Sequence, residues 1–373
     1  MIPVFKPSYG PEELEALREP FESGWIGLGP KTRAFEERFA ASLGIPYAVG
    51  VNSATAALHL SLIVAGVEGA EVITTPMTFV STNHAILYCN AIPVFADIEP
   101  DTLNIDPQDI ERKVTPRTKA IVVVHYGGHS CDMEAILATA RRHDLKVIED
   151  AAHGCGGQYK GQALGTLGDF GCFSFHAVKN LATGDGGMIA TRDEAAAARL
   201  RRLAWLGITR GTWDRAEGKG YSWEYDVQEL GFKCHMNDIT AALGLVQLAK
   251  LDRTNARRRH LAERYTRLLA GLDWLETPVE KGYARSAWHN YVIKVTDPVD
   301  RDPLMEYLKG QGISTGMHYI PNHLYRMYRP YVREPLAVAE AVWKRLITLP
   351  LFPDLADEQQ DYVVAAIRRY KAG

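Results

Sequence analysis

Between residues 47 and 191 the chain alternates short apolar, β-branched runs with segments whose apolar residues recur at helical spacing. The runs fall at 47–51, 71–75, 93–97, 120–125, 146–149, 171–174 and 187–191, and helical stretches such as 54–64 and 133–143 lie between some of them. Such alternation predicts a mostly parallel sheet covered on both faces. Sheets of this kind bind ligands beyond the carboxyl ends of their strands. Upstream, residues 11–42 read as helix, turn and helix. The turn, Ser23-Gly24-Trp25-Ile26-Gly27-Leu28-Gly29-Pro30, is too rich in Gly and Pro for a helix interior. Past about residue 250 the texture changes. A long helical pattern at 253–272 is followed by strand candidates at 291–295 and 313–318 and a last helix at 358–370. The expected architecture is α/β. It has a large, mostly parallel sheet domain over residues 1–250, with the N-terminal helical segment, and a smaller C-terminal α+β domain over 251–373.

Length and composition agree with two ordinary globular domains: 373 residues, 46% of them hydrophobic and 23% charged. A chain this long buries a core without disulfides or metals, so disorder, collagen and coiled coil are excluded as the main description. Forty-two Lys and Arg stand against 45 Asp and Glu, a formal charge of −3 that offers no field for nucleic acid. Two local basic clusters, Arg199-Leu200-Arg201-Arg202 and Arg257-Arg258-Arg259, are expected to be solvated helix faces. The five cysteines are odd in number and widely spaced, with no C-x-x-C pair, which excludes a disulfide framework and a zinc site. Reduced thiols in a cytoplasmic protein are the expectation. No signal peptide and no membrane span are expected, because no basic start leads into an apolar run and no stretch of about 18 apolar residues occurs.

Three stretches carry candidate chemistry. In Phe173-Ser174-Phe175-His176-Ala177-Val178-Lys179-Asn180, a lysine follows an apolar strand and precedes the glycine-rich Gly184-Asp185-Gly186-Gly187. A lysine amine forms a Schiff base with an aldehyde, and apolar surroundings lower its pKa for the task. In Val147-Ile148-Glu149-Asp150-Ala151-Ala152-His153 a strand ends in two acids, where a carboxylate can pair with a pyridinium nitrogen. In Val51-Asn52-Ser53-Ala54-Thr55-Ala56 a strand passes into a helix through small hydroxyl residues, and the N–H groups at such a helix start suit a phosphate. Each stretch also has a plain structural explanation: a surface lysine, or Asp and Ser as helix caps. Phosphate site, strand-end acid and lysine, in that order, are what pyridoxal 5′-phosphate (PLP) chemistry needs. There is no Walker A sequence, and no G-x-G-x-x-G follows the first strand.

Over the stretches 23–30, 53–58, 75–82, 119–126, 147–153, 173–187, 231–248 and 349–354, the sequence resembles the DegT/DnrJ/EryC1/StrS family of sugar aminotransferases. These are PLP-dependent transferases of fold type I, the aspartate aminotransferase-like architecture. The resemblance implies that Lys179 is the Schiff-base lysine and that Asp150 faces the pyridine nitrogen. It puts His153 near the cofactor's 3′-oxygen, Phe79 on the ring, and Ala54, Thr55 and Ser174 at the phosphate. Lys233, in Gly231-Phe232-Lys233-Cys234, stands where many members carry an asparagine that reaches in from the neighbouring subunit. A lysine there contacts phosphate as a point charge, and a homodimer with shared active sites is implied. Trp25, and His318 and His323 in Gly316-Met317-His318-Tyr319-Ile320-Pro321-Asn322-His323, are similar to sugar-site positions.

The lysine at 233, with Met77–Thr82 and Phe175–Asn180, resembles the subgroup that makes UDP-4-amino-4-deoxy-L-arabinose. The implied reaction is ping-pong: L-glutamate gives up its amino group and leaves as 2-oxoglutarate, then a nucleotide-linked keto sugar, a UDP-4-keto pentose, receives it. A GDP- or dTDP-linked 4-keto-6-deoxyhexose, or simple amines and keto acids, are alternative substrates. A non-catalytic regulatory or binding protein on the same fold is an alternative of another class. The presence of Lys179 argues against the dehydratase relatives, which replace that lysine. No metal, nucleic acid or membrane enters this reading.

Overall fold

The computed structural model describes residues 1–209 and 224–370. Its main sheet has seven strands, β1 (Tyr47–Val51), β2 (Glu71–Thr74), β3 (Ile92–Phe95), β4 (Thr118–Val124), β5 (Lys146–Asp150), β6 (Phe170–Ser174) and β7 (Gly187–Thr191). Their spatial order is β1-β7-β6-β5-β4-β2-β3. Neighbours from β3 through to β6 pair in parallel, while β7 runs antiparallel to both β6 and β1. Successive side chains leave opposite faces. On β6, Cys172 joins the cluster under helices Ala54–Val64 and Glu194–Ala204, whereas Phe173 joins Phe35 and Phe39 of helix Pro30–Leu43 on the other side. On β4, Val122 and Val123 divide in the same way. Both faces are therefore covered, and the strands read as unbroken apolar runs.

A second sheet, three antiparallel strands ordered Leu275–Glu276, Tyr291–Val295, Leu346–Leu349, packs with helices Asp238–Leu269, Arg301–Gly310 and Asp357–Arg369 around a separate apolar cluster. The first residues of the chain belong to this neighbourhood. Ile2 bridges to Ile313, and the Leu351 N–H donates to the Val4 carbonyl at 3.1 Å.

Several expectations need correction. The long helix starts at Asp238, well before residue 253, because the Asn237 side chain caps it by accepting the Thr240 N–H at 2.9 Å. Residues 313–318 form no strand and make only isolated bridges at Ile313 and Gly316. The strand that completes the second sheet is instead Leu346–Leu349. The arginine clusters are not plain solvated faces. Arg258 is only 2% exposed, and its guanidinium donates to the Leu351 carbonyl at 2.9 Å. Arg199 pairs with Glu229 at 3.0 Å, and Arg201 pairs with the buried Glu36. All five cysteines are free. Among the described residues no helix is long and apolar enough to cross a membrane.

Candidate active site

The last residues of β4, β5 and β6, namely Val124, Asp150 and Ser174, open onto one cavity of about 500 Å3. Helix Ala54–Val64 points its N-terminus into the same space. Ser53 caps it by accepting the Ala56 N–H at 3.1 Å, which leaves the N–H groups of Ala54 and Thr55 ahead of the first intrahelical bond. Both residues line the cavity. β7 packs close against this turn: a Cβ on Gly187 would lie 2.5 Å from the Ser53 carbonyl carbon and 2.8 Å from the Ala54 nitrogen. Only a residue without a side chain fits there.

Lys179 sits in the turn between β6 and β7, with its N–H on the His176 carbonyl at 2.8 Å. The next residue anchors that turn. The Asn180 amide donates to Asn255 and to the Ala287 carbonyl, each at 2.8 Å, and its oxygen meets His289 Nδ1 at 3.1 Å. The lysine side chain is partly open to the cavity, but the protein packed round it lowers its ammonium to about 8, against the opposing pull of Asp150. Asp150 is buried, and burial pushes its carboxyl up. Two hydrogen bonds oppose that: Thr82 Oγ1 donates to Oδ2 at 2.7 Å, and the Ala152 N–H to Oδ1 at 3.1 Å.

His153 is buried beside them. Its Nδ1 accepts the Gly127 N–H at 3.3 Å, which assigns the proton to Nε2, 3.2 Å from the Tyr319 hydroxyl. Burial first, then Lys179 and His318, hold this imidazole well below its ordinary range, so it is neutral. Its ring stacks on His289 with centroids 4.3 Å apart. His318, lowered to about 4 mainly by burial, lines the cavity and bonds Thr348 Oγ1 at 2.7 Å. Phe79, 61% exposed, stands at the N-cap of helix Val80–Tyr88 on the rim.

The cavity thus gathers Lys179, Asp150, His153, Phe79, Ala54, Thr55, Ser174 and His318. Three other candidates lie outside it. His323 is buried against Glu340, with Nε2 at 3.3 Å from its carboxylate, and its neighbour Asn322 faces the cavity instead. Lys233 parks its ammonium 3.3 Å above the Trp205 ring. Trp25 donates its indole N–H to the Leu28 carbonyl at 3.1 Å. Trp205 and Leu28 both border a second cavity, about 590 Å3, beside the edge strand β1. That cavity is the larger, but it combines no lysine with a strand-end acid, so the first is the candidate active site.

Sequence reasoning passed over Phe5, Thr78, Thr82, His289, Tyr319 and Asn322. Thr82 and Tyr319 lay inside stretches already singled out, four residues from Thr78 and next to His318. Phe5 arrives from the far N-terminus to stack on His289 at 5.5 Å, which no local pattern signals.

A family model described as the DegT/DnrJ/EryC1/StrS aminotransferase family matches residues 7–368. The chain belongs to this family. It is 45% identical over 375 aligned residues to the spore coat polysaccharide biosynthesis protein SpsC of Bacillus subtilis (strain 168), covering 98% of this chain and 96% of that protein. The sugar aminotransferase CalS13 of Micromonospora echinospora superposes with a TM-score of 0.90 at 34% identity, over 99% of each chain. The PLP form of Spr1654 from Streptococcus pneumoniae gives 0.91 at 31% identity, over 99% of this chain and 100% of that one. Like its family, the protein is a PLP-dependent aminotransferase. The cavity fits the cofactor: a desolvated amine for the aldehyde, a buried carboxylate for the ring nitrogen, and a helix N-terminus with close backbone approach for the phosphate.

Proposed function

We propose that this aminotransferase moves the amino group of L-glutamate to a nucleotide-linked 4-keto sugar, a UDP-4-keto pentose on the sequence resemblance, in a ping-pong sequence. The observation that carries the proposal is the meeting of Lys179, its amine lowered to about 8, with the buried Asp150 in one cavity at the strand ends. The similarity to a polysaccharide biosynthesis protein and to a sugar aminotransferase supports a sugar acceptor.

Bound PLP supplies an electron sink for the pair released when the donor Cα loses its proton. Lys179 would hold the cofactor through its aldehyde. Once free, its neutral amine would take the proton from the donor Cα as base and give it up again as acid. Asp150 keeps a proton on the ring nitrogen. His153 would serve the 3′-oxygen, and Phe79 would help to hold the ring. The N–H groups of Ala54 and Thr55 and the Ser174 hydroxyl would hold the phosphate. His318 contacts the sugar.

Charge accounting extends this reading to a dimer. Phosphate, donor carboxylates and sugar diphosphate all bring negative charge. Among the described residues that line the cavity, Lys179 is the one lysine and there is no arginine. Lys233 and Trp25 do not line that cavity, and we take Lys233 to serve the active site of a neighbouring copy, as the sequence resemblance implies. This supports a homodimer with shared sites, in which Lys233 meets the partner's phosphate.

The test is a visible spectrum of the PLP-loaded protein, followed by products. L-Glutamate should discharge the band of the lysine-bound cofactor and yield 2-oxoglutarate. A UDP-4-keto pentose should restore the band and appear by mass as the amino sugar. A band that ignores glutamate sinks the donor assignment. Restoration only by a GDP- or dTDP-linked keto sugar sinks the acceptor assignment.

A further inference from the structure

Asp150 does not sit in its cavity unaided. Its Oδ2 accepts the Thr82 hydroxyl at 2.7 Å, and the Thr82 hydroxyl lies 2.8 Å from that of Thr78. The direction of this chain follows from valence. An ionised carboxylate only accepts, so the single Thr82 proton points at Asp150, and the Thr78 hydroxyl must then donate to Thr82. Both threonines are buried, at 2% exposure for Thr78 and 0% for Thr82. They lie four residues apart across the start of helix Val80–Tyr88, which brings both hydroxyls to one side of the turn. The other oxygen, Oδ1, is taken by the Ala152 N–H at 3.1 Å. Each carboxylate oxygen therefore has one protein donor, and the plane of the group is set.

The mount is itself braced. The Asn322 amide donates to the Thr78 carbonyl at 2.7 Å and its oxygen accepts from Asn83 at 3.0 Å, while the Asn322 N–H reaches the Pro76 carbonyl at 2.7 Å. The segment that carries His318 is thereby fastened to the turn that carries Thr78.

We propose that Thr78 and Thr82 are positioning residues of the transamination, a directed pair of hydroxyls that fixes the Asp150 carboxylate in the orientation that meets the cofactor's ring nitrogen. Charge-assisted hydrogen bonds of this kind are about twice as strong as neutral ones, and they act here on a carboxylate that burial disfavours. Without the Thr82 hydroxyl, Asp150 is free to turn and less inclined to stay ionised, and its grip on a ring proton weakens. Thr78 acts one step further back, so its removal has the smaller effect. The inference rests on the assignment of Asp150 to the ring nitrogen.

The experiment compares Thr82→Val, Thr82→Ser and Thr78→Val with the unmodified protein, alone and in an Asp150→Asn background. Three quantities are read: the PLP dissociation constant of the apo-protein across pH 5.5–8.5, kcat and KM for the amino donor, and the thermal midpoint. Thr82→Val should lower kcat roughly 10- to 100-fold with the donor KM within about threefold. It should also weaken PLP binding and move the acid limb of that binding to higher pH. Thr82→Ser should restore both, and Thr78→Val should show a milder form. In the Asp150→Asn background, Thr82→Val should change kcat and PLP affinity by less than about twofold, because the group it acts through is gone.

Equal losses in both backgrounds would overturn the proposal. So would a Thr82→Val protein with a lower midpoint but an unshifted PLP–pH profile, which marks a merely structural threonine. If Thr82→Val fails to fold, the decision passes to Thr78→Val, where an unshifted profile and unchanged kcat overturn it. Failure of PLP to bind the unmodified protein at all would instead strike the cofactor assignment beneath it.

Discussion

A free lysine ammonium titrates near 10.5, and at that value Lys179 would be a poor nucleophile and a poor base at neutral pH. Desolvation brings it to about 8, the one change that makes the residue chemically useful, and the direction gives a pH prediction. Only the neutral amine captures an aldehyde, and its fraction grows as pH rises toward 8. The rate at which apo-protein takes up PLP should therefore climb about tenfold per pH unit below pH 8 and level off above it. Stopped-flow absorbance checks this, and a rate still climbing steeply at pH 9.5 would show an ordinary exposed lysine. At this scale the sequence marked residues that the structure gathers in one cavity and missed the groups that support them. Lys179 and Asp150 stand out because strand ends in a parallel sheet are where ligands go. Thr82 does not, since a helix-start threonine reads as a cap and its partner Asp150 lies far along the chain. Arg258 was misread for a related reason: in a run of three arginines nothing marks the middle one as facing inward, where the Leu351 carbonyl receives it.

Elements deliver these groups by their ends. One tight constraint is the contact between β7 and the N-terminus of helix Ala54–Val64, where Gly187 leaves no room for a Cβ against the Ser53 and Ala54 backbone. Gly187→Ala should push that turn outward and raise the PLP dissociation constant by an order of magnitude or more, measured by spectral titration. Unchanged affinity would mean that the turn does not hold the phosphate. In the same sheet, the last residue but one of β5 is Glu149, fully buried, which accepts the N–H groups of Gly165, Leu167 and Gly168 at 2.7–2.8 Å and meets His125 Nε2 at 2.8 Å. Glu149→Gln replaces one acceptor oxygen by a donor. It should cost about 3 kcal/mol in denaturant-measured stability, while the protein that remains folded keeps its PLP band. The two strand-end acids thus divide the labour, Glu149 holding backbone and Asp150 facing the cavity. The elements themselves were largely legible, since apolar runs mark buried strands directly. Pairing direction was not, because β7, antiparallel to both its neighbours, is as apolar as the strands that pair in parallel. Leu346–Leu349 was hidden in a run that continues into Pro350 and Leu351.

On the scale of the molecule, the large sheet and its connections bring Lys179, Asp150 and the Ala54–Thr55 turn to the cavity, while the C-terminal region contributes His289, His318, Tyr319 and Asn322. The proposed dimer adds Lys233 from a second copy. Subunit mixing tests this: Lys179→Ala and Lys233→Ala proteins, each impaired alone, should regain roughly a quarter of unmodified activity when their subunits exchange. Half of the dimers are then mixed, and each mixed dimer has one intact site. No recovery would place Lys233 in its own chain's chemistry. The central claim remains that Lys179 is the residue that holds PLP. Borohydride reduction of the PLP-loaded protein, followed by peptide mass analysis, tests it directly. The account predicts a single pyridoxyl-phosphate adduct on Lys179, and none in Lys179→Ala. An adduct on another lysine, or none in the unmodified protein, would contradict it.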